Sequence, residues 1–344
     1  MAAGTLAAAH DAALLDLDGT VYEGGRAIPG AREALAEAGL PMLFITNNAS
    51  RAPGVVAAQL RDLGYAAEAG DVMTSAQAAI EMAREVVDPG AAVLVLGADS
   101  FRELAADAGY RVVSSADDAP AAVLHGHSPA TGWAELSEAA LAIRAGAAYL
   151  ASNLDTTLPV ERGLLVGNGS MVAAVTSATG VTPRSAGKPG PAMFRRGAAR
   201  LGATRPLAIG DRLNTDIAGG NNAGQATLMV VTGVSGHRET LLAAPGERPR
   251  YIGATMAALN EPAEHAAPGP QAGFTVTRDD SDPATLVLAG GDPADPRLAD
   301  PGRAAVAALL TAAGLAWAPG AAPVTGIRAA EPGGPAAAAL AAWR

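Results

Sequence analysis

Ala12-Ala13-Leu14-Leu15-Asp16-Leu17-Asp18-Gly19-Thr20 is the stretch on which the reading of the whole chain turns. Four apolar residues in a row suit a strand buried on both faces, as in a parallel sheet. Two aspartates follow directly. Residues i and i+2 of an extended segment point the same way, so Asp16 and Asp18 converge on one spot. There their charges repel unless a cation or a proton separates them. A divalent ion can do the first, and a proton carried by Asp18 does the second and makes it a general acid. Phosphoryl transfer through an acyl phosphate uses both, with one carboxylate attacking phosphorus and the other protonating the departing oxygen. Gly19 permits a tight turn, and Thr20 can bond the carboxylates or start the next helix.

Working outward, strands and helices alternate. Residues 30–38 read as helix, Pro41-Met42-Leu43-Phe44-Ile45 as a buried strand ending at Thr46-Asn47-Asn48, and 53–63 as helix. That alternation predicts a doubly wound parallel sheet covered on both faces, with ligands beyond the carboxyl ends of the strands. About 140 residues separate Asn48 from Gly187-Lys188-Pro189, far more than a loop in a compact domain holds. The stretch has strands of its own, such as 92–96 and 121–124, and helical patterns at 101–108 and 134–145. After Lys188 the first pattern resumes, with a helix at 191–201, the strand 206–209, Gly210-Asp211 and the strand 227–231. The expected fold is therefore α/β: a doubly wound, Rossmann-like core over 1–77 and 183–245, interrupted by an inserted α/β cap domain over 78–182. A Pro- and Gly-rich linker is expected over 246–272. A small C-terminal α+β domain is expected over 273–344, with a strand near 284–289 and a helix near 303–314. Since every polar motif precedes residue 220, the tail reads as an independent unit whose removal near Ala267 spares the chemistry.

Lys188 is the only lysine among 24 basic residues. Lysine is a compact point charge where arginine is a wide planar fork, so a crowded phosphoryl site can require it, and there it would offset the charge that builds during transfer. Thr46, Asn47 and Asn48 offer a hydroxyl, amides and backbone N–H groups for phosphoryl oxygens. Gly210-Asp211-Arg212-Leu213-Asn214-Thr215-Asp216 adds two carboxylates. With Asp16 these make an all-oxygen cluster suited to Mg²⁺ and poor for zinc. In the expected cap, Asn153 and Asp155 lie in a polar loop after the strand 148–151 and are candidate substrate contacts.

Composition narrows the rest. The 344 residues carry a net charge of −10, which argues against nucleic acid as a partner but leaves room for a small phosphorylated metabolite at a local metal site. No apolar run approaches the roughly 20 residues that span a bilayer. Met1-Ala2-Ala3-Gly4 lacks the basic start of a secretory signal, so a cytoplasmic location is expected. The chain has no cysteine, which excludes disulfides, thiolate ligands and a cysteine nucleophile. A homodimer is compatible with this reading.

The ordered set of motifs resembles the haloacid dehalogenase superfamily of phosphohydrolases, and the place and length of the insert resemble its subclass IIA, the nitrophenyl-phosphatase-like group. The matching segments are Leu43 to Asn48, Ser152-Asn153-Leu154-Asp155-Thr156-Thr157-Leu158-Pro159, Ala178-Thr179-Gly180, Gly187 to Pro191 and Gly210 to Ile217, within a resemblance covering about residues 10–250. It implies Asp16 as nucleophile and Asp18 as acid and base. Mg²⁺ would be held by the Asp16 and Asp211 side chains and the Asp18 carbonyl, with Asp216 and Asn214 behind them. Thr46, Asn47 and Lys188 would hold the phosphoryl group. One departure is Leu124-His125-Gly126-His127-Ser128-Pro129, where many members carry an acidic residue after a Val-Val-Gly run. This variant and the long tail look most like the actinobacterial glycerol 3-phosphate phosphatases, whose tail is acetyltransferase-like. No coenzyme A signature stands in 273–344, so acetyl transfer is not expected. The resemblance implies a Mg²⁺-dependent phosphatase for a small phosphomonoester, with glycerol 3-phosphate favoured over phosphoglycolate, nucleotides or sugar phosphates. A signalling phosphoacceptor is the remaining alternative, disfavoured because Asp18 promotes turnover over a lasting phospho-state.

Overall fold

The computed structural model describes residues 4–160 and 162–344. The chain divides into two compact units, Met1–Met42 with Arg200–Arg344, and Leu43–Ala199. Both are α/β, built on parallel strands with flanking helices.

In the first unit four parallel strands run in the order Tyr251–Gly253, Ala226–Val230, Pro206–Gly210 and Ala12–Leu15. Ala12–Leu15 is completely buried, as its unbroken apolar run requires. Leu15 lies opposite Ile209, and the Asp16 N–H donates to the Ile209 carbonyl at 2.9 Å. This register brings the ends of two strands level, so Asp16 and Asp211 leave the sheet side by side.

The stretch read as a linker is structured. Tyr251–Gly253 pairs in parallel with Leu228–Val230, and 3-10 turns follow at Met256–Asn260 and Ala263–His265. Tyr251 and Ile252 are buried, so the Pro and Gly here mark tight turns in a packed edge, not a tether.

The tail holds more than the two elements expected. Phe274–Arg278 pairs antiparallel with Thr285–Gly290, which pairs in parallel with Gly326–Ala329. The helix Pro301–Ala316 starts where the Asp300 side chain accepts the Arg303 N–H at 2.9 Å, with Pro301 at the first position. A second helix spans Gly334–Ala341. The long helix is enclosed on two sides. Val306, Leu309, Leu310 and Ala313 pack with Leu213, Ile217, Met229 and Ile252, while Ala304, Ala307 and Ala308 pack with Phe274, Leu288, Ala336 and Ala339. The tail is thus not an independent unit. It completes the core against the strands Ala226–Val230 and Tyr251–Gly253 and the turn after Asp211, because small alanines let the helix approach closely and its leucines fill the space.

In the second unit Met42–Thr46 pairs in parallel with Val72–Thr74. The helix Ser75–Ala83 follows, opened by a Thr74–Gln77 capping box. A five-stranded parallel sheet has the order Arg184–Ser185, Ala148–Ala151, Ala122–His125, Ala92–Leu96 and Arg111–Val113. The antiparallel hairpin Thr157–Val160 with Gly163–Val166 precedes the helix Asn168–Thr179.

The shared core yields a test. Leu309→Ala should cost about 2–5 kcal/mol, read as an earlier urea midpoint for the whole first unit. Truncation at Ala267 bares Met229, Ile252 and Leu213 and should give an unstable or insoluble protein. A truncated chain that unfolds at the full-length midpoint would refute the shared core.

Candidate active site

The first unit gathers carboxylates. Asp16, Asp211 and Asp216 each offer an oxygen within 4.8 Å of the other two, the set that the motif order anticipates. Asp211 is fully buried and Asp216 nearly so. Burial first, then the charges of Asp16 and Asp216, push the Asp211 carboxyl well above the usual carboxylate range. Three such groups in one place need a cation, and an all-oxygen donor set fits Mg²⁺.

Close backbone approach makes room for them. The Asp211 carboxylate sits between Gly19, which has φ of +82°, and Gly233, and a Cβ at either would run into it. Its Oδ2 accepts the Val234 N–H at 2.5 Å, and its backbone carbonyl accepts the Ser235 N–H at 3.1 Å. The Thr20 hydroxyl lies 3.5 Å from Oδ1, which gives this threonine the carboxylate-bonding role read from sequence. Asp216 accepts the Arg212 N–H at 3.1 Å from a turn of π-helix over Leu213–Ile217. Asn214 is exposed on that turn, and so is Asp18 beyond Leu17.

The second unit carries the amide and ammonium motifs, organised around Asn47. The Asn47 Oδ1 accepts the Lys188 N–H at 2.8 Å, and its Nδ2 donates to the Lys188 carbonyl at 3.1 Å and to both Asp155 oxygens at 3.3 and 3.1 Å. Its own carbonyl accepts the Ser75 hydroxyl at 2.5 Å and the Asn153 Nδ2 at 2.7 Å. Asn47 is therefore a hub that ties Lys188, Asn153 and Asp155 together. The Lys188 side chain is 4% exposed, with Nζ 3.3 Å from the Ile45 carbonyl. Thr46 is buried and its hydroxyl accepts the Asn48 N–H at 3.1 Å, while the Asn48 side chain caps the turn at Ser50.

Several contributors escaped the sequence reading. Gly233, Val234 and Ser235 grip Asp211, and the signal was there in Thr232-Gly233-Val234-Ser235-Gly236, a Gly-rich run after a strand. Asn168 donates to the Asn153 and His125 carbonyls at 2.8 and 3.3 Å, and Ser75 braces Asn47. Neither stands in a motif, and only the tertiary fold brings them in. The unusual His125 is wholly buried, its Nδ1 2.9 Å from the Tyr149 hydroxyl, and burial pushes its ring down to about 4. It is a neutral core group.

Comparison with known proteins finds similar chains. A family model described as haloacid dehalogenase-like hydrolase matches residues 13–111, and a second, HAD-hydrolase-like, matches 185–259. The D-glycerol 3-phosphate phosphatase of Mycobacterium tuberculosis is 46% identical over 308 residues, covering 90% of this chain and 87% of that protein. The acid sugar phosphatase of Staphylococcus aureus is 36% identical over 231 residues, 66% of this chain and 88% of its own. A solved structure of the mycobacterial glycerol phosphate phosphatase in complex with magnesium is similar with a TM-score of 0.88 at 42% identity, covering 98% of both chains.

Two tests follow from this geometry. Lys188→Arg keeps the charge but adds bulk at a buried position, where the lysine is 4% exposed and its Nζ lies 3.3 Å from the Ile45 carbonyl. Overpacking and a fork in place of a point should lower kcat/KM by about tenfold or more, measured by phosphate release. A rate near that of the parent would remove any special need for lysine. The second concerns pH. Above its ordinary value near 6.5 His125 is neutral in both folded and unfolded chains. Below it only the unfolded chain gains a proton, so stability falls as pH drops from about 6.5 to about 4. The loss should be on the order of 3 kcal/mol and should shrink in His125→Asn, compared by urea unfolding at pH 7.5 and 4.5. An undiminished loss in the variant would place its origin elsewhere.

Proposed function

The chain belongs to the haloacid dehalogenase-like hydrolases, and from that premise we propose that it hydrolyses glycerol 3-phosphate through an aspartyl-phosphate intermediate. It is a Mg²⁺-dependent phosphatase of small phosphomonoesters. The observation that carries the reading is the meeting of the Asp16, Asp211 and Asp216 oxygens within 4.8 Å, with Asp18 two residues beyond Asp16. When bound, Mg²⁺ offsets the charge of these carboxylates and polarises the phosphoryl group. Asp16, Asp211 and the Asp18 carbonyl are assigned to hold it, with Asp216 and Asn214 behind them.

Asp16 is assigned as nucleophile. Its carboxylate oxygen forms a bond to phosphorus as the bond to the glycerol oxygen breaks, and Asp18 gives its proton to that oxygen so that a neutral alcohol leaves. Asp18, now a carboxylate, takes a proton from water as the water oxygen bonds to phosphorus. The aspartyl bond breaks, inorganic phosphate leaves and Asp16 is restored. Lys188, Thr46 and the backbone of Asn47 and Asn48 are assigned to the phosphoryl oxygens, with the Asn47 side chain acting from behind by orienting Lys188. Asn153 and Asp155 are assigned to specificity through their hold on Asn47, within an inserted cap.

The substrate follows the mycobacterial relative, which is similar over most of the chain. A sugar phosphate is the second reading, favoured by the staphylococcal relative. No helix among the described residues is long and apolar enough to cross a membrane. The absence of cysteine supports a cytoplasmic location, and the exposed Leu164, Leu165 and Val166 of the hairpin support a homodimer.

A phosphate-release screen over phosphorylated metabolites, at fixed Mg²⁺, tests the substrate, with glycerol 3-phosphate expected to give the highest kcat/KM. Asp16→Asn should abolish turnover on every substrate, since an amide does not attack phosphorus. Asp18→Asn should cost about 10²–10⁴ on glycerol 3-phosphate yet leave a burst of nitrophenol from nitrophenyl phosphate, whose leaving group needs no proton. Equal loss of both first steps would remove Asp18 from the acid role.

A further inference from the structure

The five residues Thr232–Gly236 leave the strand Ala226–Val230 and enter the helix His237–Leu241, and they touch both carboxylate motifs. Val234 and Ser235 donate to Asp211 as described above. The Thr232 hydroxyl donates to the Gly19 carbonyl at 2.6 Å, and the Ser235 hydroxyl oxygen accepts the Leu213 N–H at 3.3 Å. The place of the Asp211 carboxylate is thus the place of this loop. Little apolar burial holds the loop itself, since Val234 is 60% exposed.

Its two ends are held by residues more than 100 positions away. The Arg344 guanidinium donates to the Val231 carbonyl at the entrance. At the exit the His237 N–H donates to the Arg344 backbone oxygen at 3.0 Å, and the Arg344 N–H donates back to His237 Nδ1 at 3.4 Å. The Trp343 ring stacks on His237, with centroids 5.8 Å apart and planes 15° apart. Trp343 is fixed in turn, its indole N–H donating to the Ala305 carbonyl of the long tail helix at 3.1 Å. A Cβ on Gly236 would run into the Arg344 backbone, so the glycine admits this contact.

We propose that Trp343 and Arg344 are positioning residues for Asp211, closing the ends of the loop that sets its carboxylate. Groups that orient a ligand from behind commonly alter metal affinity by about 10–100-fold when removed, and a short loop pinned at both ends places its amides more tightly than one pinned by its chain alone. The inference rests on the assignment of Asp211 to the metal, so its test separates the two.

Full-length Arg344→Ala, Arg344→Lys and Trp343→Phe are compared with the parent. Amide hydrogen exchange without metal should quicken over 231–237 in Arg344→Ala by about tenfold or more, with the helix Pro301–Ala316 unchanged. The Mg²⁺ concentration for half-maximal activity should rise by about tenfold, while KM for substrate at saturating Mg²⁺ stays within twofold. Arg344→Lys, which can still donate to Val231, should recover most of both effects, and Trp343→Phe, which keeps the stack but loses the Ala305 bond, should fall between. Because Arg344 is exposed, its variants test the idea even where a Trp343 variant folds poorly. Unchanged exchange over 231–237, or faster exchange with an unchanged Mg²⁺ requirement, would overturn the proposal. An unaltered Mg²⁺ requirement in Asp211→Asn would instead overturn the metal assignment, and the exchange data would then stand apart from it.

Discussion

Three carboxylates held within one hydrogen-bonding distance of a common point are the constraint around which the first unit is organised. Asp16, Asp211 and Asp216 repel one another, and burial makes the repulsion worse, as the raised Asp211 carboxyl records. Such a cluster persists only if covalent geometry and neutral donors fix it in place until a cation arrives. Parallel pairing of Ala12–Leu15 with Pro206–Gly210 supplies the first restraint, because the register sets two strand ends level. The Val234 N–H and the Gly19 and Gly233 approaches supply the second. Both act through backbone geometry and neutral donors.

The second unit solves the opposite problem, a buried cation. Lys188 sits where water is almost excluded, and its backbone is locked on both sides by one amide, that of Asn47. The same amide engages Asp155. A side chain that from sequence resembles a ligand for phosphoryl oxygens is, in the fold, the element that orders the lysine. Asn and not Asp is required there, since only the amide both accepts the Lys188 N–H and donates to a carbonyl and a carboxylate.

Much of this was legible in the chain because the signals are local. Unbroken apolar runs such as Leu43-Phe44-Ile45 and Ala92-Val93-Leu94-Val95-Leu96, short and bounded by turn residues, suit strands covered on both faces, and they begin and end within a residue or two of the expected bounds. Asp16 and Asp211 were legible for the same reason, since each directly follows such a run. What escaped depends on distance in space. Asn168 and Ser75 look like ordinary helix-start residues until the fold carries them to Asn153 and Asn47. The strand Tyr251–Gly253 has three residues between turns and no period to read. The Pro and Gly around it have the composition of a tether, yet Ile252 is fully buried.

The tail shows why composition misleads about independence. The Pro- and Gly-rich run before it reads as a tether, yet its long helix is apolar nearly all round, the pattern of a helix enclosed by packing. A helix buried on every side needs two surfaces, and the short three-stranded sheet offers only one, through Phe274 and Leu288. The other is the underside formed by the strands Ala226–Val230 and Tyr251–Gly253, through Met229 and Ile252, and by Leu213 of the turn after Asp211. Leu213 and Ile217 are at once part of that underside and of the π-helical turn that presents Asp216. Packing of the tail helix therefore bears directly on a turn that carries one of the three carboxylates. A residue far from the chemistry in sequence can influence it through contiguous packing, with no contact to substrate.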